Sequence, residues 1–295
     1  MNPTSPSRRA FAPGKLVLLG EYAVLDGAPG IVVAIDHGVQ CSVFPAEQRI
    51  VEVPDDARFA AAALDIADAP AARYHFEATG RLPPTWSAGQ KPGFGGSASA
   101  TVAAITAARP EWDPARRLTA ALATHHRVQG SGSGIDIAAA VYGGLLRFEQ
   151  GSVRPLATEL VRCVVWSGKS ASTAERIRAY QAFRPRDWFV AESARLVDGF
   201  PADPIGAFHD AYTLLDRMAQ EAHLDWSTPE HAAIRRLAVS AGGAAKPSGA
   251  GGGDCAVALF PNSNCAAEFR AACHRAGFLL IDVDEAGPAS IIHPS

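Results

Sequence analysis

Lys91-Pro-Gly-Phe-Gly-Gly-Ser-Ala-Ser-Ala100 runs without a break into the apolar segment Thr101-Val-Ala-Ala-Ile-Thr-Ala-Ala108, and the reading of this join decides the fold. Gly93, Gly95 and Gly96 leave the backbone nearly bare, and the alanine-rich continuation reads as helix. Backbone N–H groups freed by glycine can converge on an anion. The first turn of a helix adds unpaired N–H groups and the positive end of its dipole. A serine there can reach a phosphate or a Mg²⁺ ion through its hydroxyl. The same composition also serves as an ordinary loop and cap, so this stretch alone leaves both readings open. Two others bear on the choice: Ala12-Pro-Gly-Lys15, and Lys246-Pro-Ser-Gly-Ala-Gly-Gly-Gly-Asp-Cys255 far down the chain.

At 295 residues the chain can bury a large core as one elaborate domain or two ordinary ones. With 48% hydrophobic and 19% charged residues it has the composition of a folded globular protein. A net charge of −3 supplies no bulk basic surface for nucleic acid or an anionic membrane, so any anion must be bound locally. The five cysteines are odd in number and form no C-x-x-C pair, which argues against a disulfide framework or a structural zinc site. The polar start, Met1 to Arg9, has no signal-peptide core, and no run approaches a membrane span. These features point to a cytoplasmic protein with no nucleic-acid or membrane partner, and leave monomer or homodimer open.

Outward from the glycine stretch, strands are expected at Lys15–Leu19, Gly30–Ile35, Val39–Phe44 and Ile50–Val53. A helix is expected within 55–72, and another from Ala115 behind Asp113 and Pro114. The run Gly130-Ser-Gly-Ser-Gly-Ile-Asp136 leads into a further helix, and Gly151-Ser152 reads as a hairpin turn. From Ala174 to Ala241 the pattern is helical, and the last 40 residues read strand, helix, strand. The composition shift near 150–172 divides the chain into 1–160 and 161–295, giving an α+β protein of two domains.

Several residues could carry chemistry. Lys15 enters an apolar strand, either snorkelling to the rim or aimed into a site where its ammonium would neutralise phosphate charge. Asp136 reads as the N-cap of the following helix, or as a carboxylate held where backbone approaches a ligand. Gly249 and Gly251 to Gly253 exceed the needs of a turn, which suggests backbone against a ligand or another loop. That run is neither a Walker A motif, lacking a following Lys-Ser/Thr pair, nor a dinucleotide fingerprint, since a strand follows it. Lys169, Ser170, Ser172 and Thr173 could hold an anionic group or form a solvated loop. His125 and His126 are adjacent on a helix and cannot share a face, which argues against a two-histidine metal site.

Together the motifs Ala12-Pro-Gly-Lys15…Gly20-Glu21, Pro92-Gly-Phe-Gly-Gly-Ser-Ala98 and Pro247-Ser-Gly-Ala-Gly-Gly-Gly-Asp254 resemble those of the GHMP small-molecule kinases. Gly132-Ser-Gly-Ile-Asp136, Val165 to Thr173 and the ending Gly-Asp-Cys255 look most like its phosphomevalonate-phosphorylating branch, with the mevalonate branch second. The resemblance implies an N-terminal domain like ribosomal protein S5 domain 2 and a ferredoxin-like C-terminal domain. It implies ATP and Mg²⁺ as cofactors and a small-molecule phosphoryl acceptor as partner. Pro92, Gly93, Gly95, Gly96, Ser97, Ala98 and Ser99 would wrap the nucleotide phosphates, with Ser97 on the metal. Lys15 and Asp136 would be catalytic. Glu21, Tyr22, Ser133, Gly134, Lys169, Ser170, Ser172, Ser248, Gly249, Ala250 and Gly251, together with Lys15, would meet the acceptor. The reaction implied is γ-phosphoryl transfer from ATP to phosphomevalonate. Mevalonate, a sugar or another small alcohol is the alternative acceptor, and a non-catalytic nucleotide or metabolite sensor the alternative of another class. Two departures stand out: Gly96 replaces the family's first serine, and His125 stands where mevalonate-type members carry a metal-binding glutamate.

Overall fold

The computed structural model describes residues 5–83, 86, 90–130, 132–171 and 173–292. In chain order the N-terminal part contains β1 (Arg8–Leu19), β2 (Gly30–Phe44), β3 (Ile50–Glu52), α1 (Arg58–Ile66), β4 (Arg73–Ala78), α2 (Gly96–Ala108), α3 (Pro114–Gln129), α4 (Ile135–Tyr142), β5 (Leu145–Glu149) and β6 (Ser152–Leu156). The rest contains β7 (Val161–Trp166), α5 (Thr173–Ala182), α6 (Asp187–Gly199), α7 (Pro204–Glu221), α8 (Pro229–Ser240), β8 (Ala244–Pro247), β9 (Cys255–Phe260), α9 (Ser263–Arg275), β10 (Leu279–Ile281) and β11 (Ser290–Ile292). Among the described residues these strands form two sheets. One runs β11-β1-β2-β4-β3, with β5 on β2 and β6 on β5; the other runs β10-β7-β9-β8. All pairs are antiparallel except β3 with β4.

β1 and β2 are longer than the short apolar runs suggested, because register shifts bend β1 between Ala12 and Gly14 and again between Val17 and Leu19. The bend lets one strand, β2, pair with β4 through 39–44 and with β5 through 30–33. Pro13-Gly14 makes the first shift possible. A Cβ on Gly14 would run into the His37 carbonyl and come within 2.8 Å of the Phe94 carbonyl oxygen. β11 also falls outside expectation: it returns from the far end of the chain to pair with β1, Arg9 opposite Ile292. The first sheet therefore draws on residues beyond 160.

α2 is buried along its length from Ala98 to Ala108. Its alanines let β1, β2, α1, α3 and α4 approach it closely, so it forms the middle of the N-terminal core. α3 is capped as read: the Asp113 carboxylate accepts the Arg116 N–H at 2.8 Å, and Gly130 ends the helix in the left-handed conformation. A second apolar cluster fills the space between the sheets. Leu16, Leu18, Ile31 and Val33 meet Val164, Val257 and Leu259 there, with Phe200 and Phe208 of the helical region. The two halves thus share a core, and the loops at its rim face one another across a cleft.

Candidate active site

The phosphate-loop candidate starts at a close contact between strand and loop. The Lys15 N–H donates to the Phe94 carbonyl at 2.9 Å, so β1 carries the loop on its edge. Gly95 is the N-cap of α2 with φ +79°, and no side chain caps the helix. The helix, one residue into the glycines, thus leaves its first N–H groups for a ligand. Gly96 and Ser97 are exposed at this turn, whereas Ala98 and Ser99 are buried. The Ser99 hydroxyl donates to the Pro13 carbonyl at 2.8 Å, tying α2 to β1 and facing away from the open turn.

Lys15 is 7% exposed and reaches this turn from below. Its Nζ donates to the Gly93 carbonyl at 3.2 Å and lies 3.6 Å from the Asp136 carboxylate. A Cβ on Gly95 would sit 3.1 Å from Lys15 Cε, so the glycine gives the lysine its passage. Asp136 is not the N-cap of α4: Gly134, at φ +84°, holds that position, and Asp136 lies in the first turn, close to the helix dipole's positive end. Ser133 accepts the Ile135 N–H at 3.3 Å. Ser133, Gly134, Asp136, Lys15, Gly93, Gly95 and Ser97 line a cleft of about 380 Å³, with Ser248, Gly249 and Ala250 closing the opposite wall.

The remaining acceptor candidates lie elsewhere. Glu21 is fully buried and pairs with Lys246, whose Nζ also donates to the Pro247 carbonyl at 3.1 Å; Glu21 does not line the cleft. Burial pushes the Glu21 carboxyl up and the Lys246 ammonium down, each opposed by the other's charge. Tyr22 is the centre of a γ-turn of the strained hand, at φ 63° and ψ −52°, with the Ala23 N–H donating to the Glu21 carbonyl at 2.7 Å. Its hydroxyl donates to the Ala250 carbonyl at 2.5 Å, so Tyr22 props the cleft wall from behind. The Ser248 hydroxyl accepts the Val17 N–H at 3.0 Å and donates to the Val17 carbonyl at 3.2 Å. Gly251 packs on the Trp226 indole. Lys169 is exposed, and the Ser170 hydroxyl is engaged with the Lys91 backbone; neither lines the cleft. Ser172 lies outside the described residues.

Asp254 and His125 also line the cleft. Burial raises the Asp254 carboxyl, opposed by a hydrogen bond from the Ala171 N–H and by the charges of Lys15 and Arg176. His125 packs on the Phe59 ring at 4.8 Å, and burial lowers its pKa, with the Asp136 charge opposing. The apolar side chains Leu25, Leu122, Ile137 and Ile177 complete the wall. Among the described residues no group of three His, Cys, Asp or Glu could hold a metal ion. The exposed Ser97 hydroxyl still fits a Mg²⁺ ion of the kind that keeps mostly phosphate and water oxygens.

An open helix N-terminus with an ammonium beside it is an arrangement able to receive an anion and offset its charge, and here it sits in an α+β protein of two halves. Residues 57–144 match the GHMP kinases N terminal domain and residues 205–278 match GHMP kinases C terminal, so the chain belongs to the GHMP kinase family. ATP is the phosphoryl donor of that family. The chain is similar to a phosphomevalonate kinase from Streptomyces sp. strain CL190, 29% identical over 84% of this chain and 88% of that protein. It is also similar to a mevalonate kinase from Methanothermobacter thermautotrophicus, 29% identical over 85% of this chain and 90% of that one. The crystal structure of a Lin0012 protein from Listeria innocua shares the fold with a TM-score of 0.88 at 22% identity, covering 97% of this chain and 99% of that one. No helix among the described residues is long and apolar enough to cross a membrane.

Proposed function

We propose that this chain transfers the γ-phosphoryl group of ATP to phosphomevalonate, giving diphosphomevalonate and ADP. The observation that carries the reading is the Lys15 ammonium, held between the Gly93 carbonyl and the Asp136 carboxylate at the mouth of the glycine loop. Residues 93–97 receive the donor phosphates on bare N–H groups, and Lys15 offsets the charge that builds on the transferring group. An oxygen of the acceptor phosphate bonds to the γ-phosphorus as the bond to the β–γ bridging oxygen breaks, and ADP leaves with that electron pair. A phosphomonoester is mostly ionised at pH 7, with a second pKa of about 6, so the step needs no proton removed. That suits an Asp136 already serving as the counter-charge of Lys15. Ser97 is the residue that would hold Mg²⁺, which when bound draws charge from the donor phosphates. In this reading residues 1–160 carry the nucleotide and 161–295 complete the acceptor wall.

The similarity to a mevalonate kinase favours a second reading, mevalonate as acceptor, in which Asp136 would take the hydroxyl proton. ADP release by the purified protein with ATP and Mg²⁺, against phosphomevalonate, mevalonate and several sugars, tests both. Turnover confined to phosphomevalonate is the expected result. Turnover confined to mevalonate would replace the first reading with the second, and turnover with a sugar alone would remove both.

A further inference from the structure

α5 gives the cleft one side chain, Ile177, and is itself lightly packed. Among its described side chains Tyr180 alone is buried, and a ten-residue helix with so little apolar burial depends on bonds from outside to stay in place. In its first half Arg176 reaches the Asp225 carbonyl at 3.4 Å. Its last turn is gripped by shorter bonds to a residue far back in the chain. The Tyr180 hydroxyl donates to Asp26 Oδ2 at 2.6 Å, and Arg186 Nε donates to the same oxygen at 2.7 Å. Arg186 Nη2 donates to Asp26 Oδ1, completing a two-pronged pair. Its Nη1 donates to the Gln181 and Phe183 carbonyls at the end of α5, at 3.2 and 3.3 Å. The guanidinium also lies over the Tyr180 ring, 4.8 Å from its centre. One side chain therefore binds the end of α5 and the Asp26 carboxylate together.

This clamp lies behind two apolar side chains of the cleft wall, one from each half of the molecule. Asp26 ends the short 3-10 turn Ala23–Asp26, and Leu25 before it lines the cleft. Ile177 stands three residues before Tyr180, on the same side of α5. Burial pushes the Asp26 carboxyl up, but the bonds from Arg186 and Tyr180 outweigh it and leave its pKa below the ordinary value, so the pair is charged at neutral pH. Neither Asp26 nor Arg186 lines the cleft itself. We propose that Asp26 and Arg186 are positioning residues for the acceptor: their clamp fixes the end of α5 to the turn Ala23–Asp26, so that Ile177 and Leu25 together form the apolar part of the acceptor site. The inference rests on the reading that residues 161–295 complete the acceptor wall. Such a wall selects an acceptor with hydrocarbon beside its anionic group, because apolar side chains leave the hydroxyls of a sugar without partners.

The test is steady-state kinetics of the full-length protein with KM for acceptor and for ATP measured separately. Calorimetric titration with Mg²⁺ and the non-hydrolysable ATP analogue AMPPNP, and thermal unfolding, run in parallel. Arg186→Ala is expected to raise KM for phosphomevalonate about tenfold, and Arg186→Lys, which keeps the charge and loses the fork, about three- to fivefold. KM for ATP and AMPPNP affinity should stay within about twofold of wild type. Ile177→Ala should raise the acceptor KM by itself, and Arg186→Ala added to it should cost much less than tenfold more, since the clamp acts through that side chain. Fully multiplying effects in the double variant would overturn the inference. So would a folded Arg186→Ala protein with the acceptor KM of the wild type, whatever its melting temperature, or one in which both KM values rise alike; each leaves the acceptor reading standing. Should Arg186→Ala fail to fold, Arg186→Lys and Asp26→Asn, which keeps an acceptor for the Tyr180 hydroxyl, decide by the same KM split. Wild-type turnover with mevalonate alone would replace the acceptor, and the clamp then stands or falls on the KM for mevalonate. Turnover with a sugar alone, or with no acceptor, would overturn both.

Discussion

Replacing Lys246 by methionine should destabilise the protein by about 3–5 kcal/mol at pH 7, the usual cost of removing one partner of a buried ion pair. The structure gives a way to work the figure. The Lys246 side chain has no exposure and that of Glu21 has 2%. With the ammonium gone, the carboxylate cannot remain charged at that depth and takes up a proton. Protonation at pH 7, about 2.5 units above the 4.5 of an unburied glutamate, costs about 3.4 kcal/mol. In the variant the folded-state pKa of Glu21 lies above its unfolded value. The neutral group is therefore tolerated at low pH, and stability falls as pH rises through 4.5 and beyond. At pH 5 the same protonation costs only about 0.7 kcal/mol, so the loss should shrink by more than half between pH 7 and pH 5. The double variant Glu21→Gln/Lys246→Met should recover most of the loss and show little of this pH dependence. Urea unfolding of wild type, both single variants and the double at the two pH values measures every term. A Lys246→Met loss under about 1 kcal/mol, or one equal at pH 5 and pH 7, would refute the reasoning by showing that Glu21 finds water or another partner.

If the acceptor is a phosphate, Lys15→Ala should lower kcat/KM far more than Asp136→Asn; a hydroxyl acceptor should make both losses severe, and equal mild losses in folded variants would defeat both versions. Tyr22→Phe removes only the hydroxyl bonded to Ala250, so unfolding free energy should fall by about 1 kcal/mol while KM for the acceptor rises several-fold and KM for ATP holds; an unchanged acceptor KM would count against the strut. Burial holds His231 down at about 4, so the folded protein binds fewer protons than the unfolded chain between pH 4 and 6.5. Stability is therefore fully present above 6.5 and falls by up to about 3 kcal/mol as pH drops to 4. His231→Gln keeps an acceptor for the Thr228 N–H and does not titrate, so its acid unfolding curve should be flatter over that window; an identical curve would remove His231 as the cause.

Much of the site was legible because its chemistry is local. Glycines at 93 and 95 before an alanine-rich helix announce an open N-terminus, and Asp113-Pro114 announces a helix start, from backbone physics alone. What stayed hidden depends on partners far along the chain. Glu21 stands beside Lys15 in one motif, yet its fate is decided by Lys246, 225 residues away. The Ser170 hydroxyl belongs to a stretch composed like an anion site, but Lys91 takes it first. Asp254 reads in sequence as the end of a glycine run, and its packing against Gly93 exists only in the fold. β4 carries a short signal, with Tyr74 and Phe76 alternating inward, directly behind the alanine-rich helix. β8 carried none: Ala-Ala-Lys-Pro does not resemble a strand, and its pairing with β9 makes it one.

The return of β11 to β1 bears on how the chain is made. Every other described element is made after β1 and before β11, so the side of β1 at Arg9–Phe11 has no native partner until all of them exist. An apolar strand with a free edge is an invitation to another nascent chain. The growing polypeptide therefore carries this open stretch of edge through the synthesis of every intervening element, and the three residues of β11 cover it.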